Sequence, residues 1–235
     1  MVLDKRIWIV NTEYGMRRAL ARGFTLVELL IVIALLGVIA TIVIAAINPI
    51  EQANRASDAG MKADSSQIVS AIQRYYASHN EFPWQAASCS TNGGSQCTLT
   101  SDAVFSFTSA DDPSVGVCGS ATDCKGSTTQ GELLAALELQ NAFLSKSWIA
   151  ATSLDAKIMV GKASGASSSV YVCWIPKSSS NRQRLISSAG TTSNKMVDIS
   201  GFTSAGIPTS ASASTCATPS DPNWALGKCY ECVPE

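Results

Sequence analysis

Few residues in this chain are equipped for chemistry, and they are unevenly placed. From Phe24 to Ile47 the sequence is almost wholly apolar and carries a single charge, Glu28. A charged side chain in hydrocarbon costs roughly 2.5–3.5 kcal/mol on insertion scales, so Glu28 needs a partner. Eight cysteines follow, all beyond position 84: Cys89, Cys97, Cys118, Cys124, Cys173, Cys216, Cys229 and Cys232. An even number of thiols confined beyond an apolar segment reads as disulfides in an oxidising, extracytoplasmic space. The one CxxC is Cys229–Cys232 and the one histidine is His79, so no zinc motif is preformed. His79 closes a helical stretch beside Tyr75 and Tyr76, which is a surface or packing position. Asp111, Asp112 and Asp221 have the oxygen chemistry for calcium, without the spacing of an EF-hand loop. The glycine-containing loops do not follow a phosphate-loop pattern. Nucleophile, base and metal set are all missing, which points away from an enzyme.

The elements around these residues fall into four segments. Residues 1–23 form a leader with five basic and two acidic residues, while the whole chain has a formal net charge of −1. Positive charge before an apolar run keeps that end cytoplasmic. Residues 24–47 make a helix of ~36 Å at ~1.5 Å per residue, enough for a ~30 Å hydrocarbon core. Residues 48–83 continue the helical pattern, with Met61, Ile68, Ile72 and Tyr75 on one face. Arg55, Asp58 and Lys62 read as i,i+3 and i,i+4 pairs on its polar side. Pro49 predicts a kink or local melting, because it lacks an N–H and clashes with the preceding turn. The helix is expected to end before Pro83.

Residues 84–235 form a Ser/Thr/Gly-rich head. A helix is predicted over Gly131–Trp148, and strands over Ala156–Lys162, Ser168–Ile175, Arg182–Ser188 and Lys228–Val233. The stretches Ser88–Asp112 and Ser204–Asn223 read as loops. Trp84, Trp148, Trp174 and Trp224 read as core; an exposed pair would favour carbohydrate or DNA contact. The acidic balance after Gly23 gives no basic patch for nucleic acid.

Cysteine spacing gives a pairing expectation. Cys89–Cys97 and Cys118–Cys124 can each close a short loop. In a strand, Cys229 and Cys232 point to opposite faces with Cα atoms about 10 Å apart, beyond the usual ~4.4–6.8 Å. The four cysteines Cys173, Cys216, Cys229 and Cys232 allow three pairings. Cys173 lies in the most apolar strand candidate and Cys232 beside Val233, so these two are expected to pair across the sheet, which leaves Cys216 with Cys229.

The stretch Gly23–Glu28, "GFTLVE", resembles the prepilin signal of type IV pilins and pseudopilins: a glycine, an aromatic next, and a glutamate five residues past the glycine. "SSQIVSAIQRYYASHNEFP" (Ser65–Pro83) is similar to the end of the long helix in the same family. The resemblance implies an α+β, pilin-like fold, with a long N-terminal helix packed on a small antiparallel sheet and disulfide-pinned loops. It implies cleavage between Gly23 and Phe24 by a prepilin peptidase, N-methylation of Phe24, and no cofactor beyond a calcium ion of the kind found in major pseudopilin heads. It further implies a precursor in the inner membrane with a cytoplasmic N-terminus. Assembly machinery would then build many copies into a helical filament at the cell surface. In such a filament Glu28 would meet the new Phe24 amine of a neighbour. The alternatives are a type II secretion pseudopilin and a minor pilin whose head binds a ligand or DNA.

Overall fold

A computed structural model describes residues 23–46, 48–85, 103–120, 124, 130–165, 167–189, 195–199, 209–212 and 214–234. The chain divides into two units, Met1–Asn48 and Pro49–Glu235. The first holds helix α1 (Leu26–Ala46). A helix closes its backbone hydrogen bonds within itself, as a segment in hydrocarbon must. Residues 23–44 are exposed along the whole length, so α1 buries none of that apolar surface within the chain.

The second unit is built on α2 (Pro49–His79). Pro49, where a kink or local melting is expected, is the first residue of α2, and α1 ends at Ala46. Proline is favoured at a first helical position because its missing N–H would be unsatisfied there anyway. The other end stops at Asn80, which takes a left-handed φ of 57° and donates its N–H to the Tyr76 carbonyl at 2.8 Å. Asparagine is among the few residues that visit this region readily.

α2 packs on a six-stranded antiparallel sheet ordered β1-β2-β3-β6-β4-β5. The strands are β1 (Phe105–Ser109), β2 (Ile158–Lys162), β3 (Val170–Trp174), β4 (Met196–Asp198), β5 (Thr209–Ser210) and β6 (Tyr230–Val233). Alternation along β2, β3 and β6 splits the core in two. Ile158, Val160, Val172, Trp174 and Val233 join Met61, Ile68, Ile72 and Tyr75 of α2. Cys173, Tyr230, Cys232 and Met196 join Leu185 of helix α3 (Ser179–Ser188) on the other side. An aromatic ladder of Tyr76, Phe82, Trp84 and Phe105, with successive centroids 4.3–4.7 Å apart, closes the end of α2 onto the edge strand β1.

Four expectations are corrected. The predicted helix Gly131–Trp148 is one turn, Glu132–Ala135, followed by a 3-10 turn at Asn141–Ser145. It ends because Leu137 turns left-handed at φ 60°, with Glu138 N–H bonded to the Leu133 carbonyl at 2.9 Å and Leu137 N–H to that of Leu134 at 3.0 Å. That is a Schellman closure, and it leaves Leu137 exposed rather than on a buried stripe. The predicted strand Arg182–Ser188 lies inside α3, whose N-cap Ser178 accepts from Asn181 N–H at 3.2 Å. β1 and β5 occupy parts of the two segments read as loops, and their Ser and Thr content hid them. Asp58 does not sit on the polar side with Arg55 and Lys62: it is 3 % exposed and turned into the head.

Candidate functional site

The chemistry at the start of α1 is set by four residues. Gly23 and Phe24 precede the helix, and both are exposed. A Cβ added at Gly23 would meet nothing within 4 Å, so nothing in the chain's own packing requires glycine there. Thr25 and Glu28 form a capping box. The Thr25 N–H and hydroxyl donate to Glu28 Oε2 at 3.0 and 2.9 Å, and the Glu28 N–H donates to Thr25 Oγ1 at 3.2 Å. Within one chain, then, Glu28 caps its own helix. Sequence reading found Glu28 and missed Thr25, although T-x-x-E is a recognised start signal.

On α2, three acidic side chains reach into the head. Asp58 accepts from Lys177 N–H at 2.7 Å, Ser178 N–H at 3.0 Å and Asn181 Nδ2 at 2.8 Å. Glu51 accepts from Ser179 and Ser180 N–H, both at 3.0 Å. These two carboxylates clasp the N-terminal end of α3, where unpaired N–H groups and the helix dipole favour negative charge. Asp64 takes Lys146 Nζ at 2.7 Å and the Trp148 indole N–H at 3.0 Å. The signal for Asp58 lay in its spacing: Asp58, Met61, Ser65, Ile68, Ile72 and Tyr75 step by three and four along the buried stripe of α2.

The Glu51 clasp carries a pH signature. Hydrogen bonds from Ser180 and Ser179 N–H hold its carboxyl down from the ordinary 4.5 to about 2. A depressed folded-state pKa means the contribution is complete above about pH 4.5 and is lost as pH falls toward 2. Urea midpoints of the natural chain and Glu51→Gln are therefore expected to differ at neutral pH and to converge as pH drops through that window. A gap that stays constant down to pH 2 would contradict the clasp.

Two observations bear on what kind of chain this is. α1 is long and apolar enough to cross a membrane, with the stretch Leu26–Ile44 the most apolar. Residues 18–44 match the family model described as the prokaryotic N-terminal methylation motif. This is the type IV pilin and pseudopilin signature. No curated protein and no solved structure matches the chain.

The head is mixed α+β, with an antiparallel sheet and disulfides. Cys173 and Cys232 are register partners on β3 and β6, bonded with Cα atoms 4.0 Å apart. Cys216–Cys229 and Cys118–Cys124 are also bonded, at Cα separations of 6.6 and 5.2 Å. Cys89 and Cys97 lie outside the described residues. Such bridges each add ~2–4 kcal/mol, chiefly by restricting the unfolded chain.

The remaining polar candidates have structural partners. Asp112 caps a 3-10 turn through Ser114 N–H at 2.9 Å, and Asp221 caps another through Asn223 N–H at 2.9 Å. Asp111 accepts from the Ser109 hydroxyl and from Ala150 N–H. The structure does not bring Asp221 together with the Asp111–Asp112 pair in a metal-sized cluster; among the described residues no three His, Cys, Asp or Glu side chains are so grouped. His79 stacks on Tyr75 with ring centroids 4.2 Å apart. Trp84, Trp148, Trp174 and Trp224 are each 1 % exposed, so none offers a stacking platform.

Proposed function

We propose that this chain is a structural subunit of a type IV pilus-like filament, stored in the membrane as a precursor and then assembled outside it. The observation that carries the reading is the methylation motif on residues 18–44, joined to a helix whose apolar side chains have no cover within their own chain. Apolar surface of that extent needs either a bilayer or neighbouring helices around it. A filament subunit uses both in turn. Cleavage between Gly23 and Phe24 frees the Phe24 amine for methylation. Glu28 of one subunit then pairs with that amine in another, and Cys118–Cys124, Cys173–Cys232 and Cys216–Cys229 hold the exposed head. A secretion pseudopilin would share every one of these features. The abundance of the chain in sheared filaments separates a major from a minor subunit.

Intact mass of the filament protein tests the proposal. The expected species lacks Met1–Gly23 and carries one added methyl group on Phe24. Gly23→Val is expected to block cleavage completely. Because a Cβ at Gly23 meets nothing in the chain itself, that block would arise at the peptidase and not from misfolding. A mature filament protein that retains Met1–Gly23 would overturn the reading.

A further inference from the structure

Three large apolar side chains stand exposed among the described residues after α2: Leu137 at 88 %, Leu226 at 61 % and Leu154 at 41 %. Scattered singly, they would need no explanation. Two of them, however, share one corner. A Cβ built at Gly227 would stand 3.1 Å from Leu154 Cδ1, so Leu154 lies against the residue that follows Leu226. The third is held out by an unusual backbone. Leu137 takes the left-handed position of its Schellman closure, which glycine usually fills, at φ 60°. For a bulky residue that conformation is an outlier, and such outliers concentrate at functional positions.

The two corners lie at different levels of α2. Leu137 adjoins Glu138, whose carboxylate and carbonyl each accept from Arg74 at 2.7 Å. Leu226 follows the 3-10 turn Pro222–Trp224, which Arg182 ties to α3. The Arg182 guanidinium lies 5.2 Å over the Trp224 ring and donates to the Pro219 carbonyl at 2.8 Å. That end of α3 is the one clasped by Asp58 and Glu51. From position 58 to 74, α2 rises about 24 Å at ~1.5 Å per residue. The corners also differ in charge. Glu132, exposed on the turn that leads to Leu137, and Lys228, exposed next to Gly227, have no ion-pair partner among the described residues. A helical filament repeats a heterologous contact, in which one patch of a subunit meets a different patch of the next. An acidic apolar knob at one level and a basic apolar corner at another have that form.

We propose that the Leu137 knob of one subunit seats against Leu154 and Leu226 of a second copy, with Glu132 facing Lys228 across the contact. The inference rests on the filament reading and adds a contact between heads to the packing of α1. Leucine at a glycine position is then explained, because its side chain is buried once a neighbour arrives.

The test uses cells that assemble the full-length chain, and reads sheared-filament protein against cleaved subunit in the membrane. Leu137→Gly is expected to lower that ratio about tenfold. The same change relieves the left-handed backbone, so the urea midpoint of the head is expected to stay unchanged or rise. A role confined to folding predicts the reverse, a lower midpoint. Glu132→Lys is expected to lower the ratio about threefold, and Lys228→Glu in the same chain to restore it. Leu137→Cys combined with Leu226→Cys, oxidised in intact filaments, is expected to give a ladder of linked subunits that neither single variant gives. Normal yield from Leu137→Gly, a yield lost together with the urea midpoint, a Glu132→Lys loss that Lys228→Glu fails to restore, or no ladder would each overturn the inference while the filament reading stands. A natural chain that forms no filaments would remove both.

Discussion

Glu28→Gln is expected to be inserted and cleaved like the natural chain and yet to give almost no filaments. Glutamine serves at the third helical position of a capping box as glutamate does, so the bonds to Thr25 survive. Only the charge is lost. In a bundle of apolar helices the amine of a neighbouring Phe24 would then lack its counter-charge. Removing one member of a buried ion pair costs roughly 3–5 kcal/mol. At about 1.4 kcal/mol per factor of ten, assembly would fall by about a hundredfold or more. Thr25→Val is the complementary variant: it removes a cap worth ~1 kcal/mol and keeps the carboxylate, so filaments are expected to form. If capping were the whole role of Glu28, the order would invert, with Glu28→Gln normal and Thr25→Val impaired. The ratio of sheared-filament protein to cleaved subunit in the membrane distinguishes the two.

What the sequence made legible was whatever depends on local pattern. Apolar length marked α1, and an interval of three and four residues marked the stripe of α2. The apolar run "SSVYVCWI" and the Val233 beside Cys232 marked Cys173 and Cys232 as strand residues able to meet across the sheet. The Arg182–Ser188 segment misled because its local pattern is weak: Leu185 is its only buried residue, and its helical form depends on Ser178, Glu51 and Asp58. The last two lie more than a hundred positions away in the chain. Gly131–Trp148 misled for the opposite reason. Its apolar residues are dense enough to satisfy a helix period, yet Leu133, Leu139, Phe143 and Trp148 bury themselves around successive turns. Burial in several directions cannot be told from a helical stripe by spacing alone. At the candidate site, Glu28 was conspicuous because it breaks an apolar run. Thr25, a small polar residue at a helix start, breaks nothing.

Asp58→Ala is expected to cost the head about 3–5 kcal/mol. The side chain is 3 % exposed and accepts three hydrogen bonds, two of them from the backbone N–H groups of Lys177 and Ser178. Alanine restores none of these, and each buried donor left unpaired costs ~1–3 kcal/mol. Asp58→Asn keeps one acceptor oxygen but turns the other position into a donor facing a donor, so an intermediate loss of ~2 kcal/mol is expected. Glu51 would still hold Ser179 and Ser180, so α3 need not unfold; its docking to α2 would loosen first. Amide exchange over residues 177–182 should accordingly rise more than exchange across β2 and β3, whose pairing Asp58 does not touch. Urea unfolding of the full chain with its disulfides intact gives the total. A loss below ~1 kcal/mol for Asp58→Ala would mean that water replaces the carboxylate at the start of α3, and that the clasp does not join helix to head.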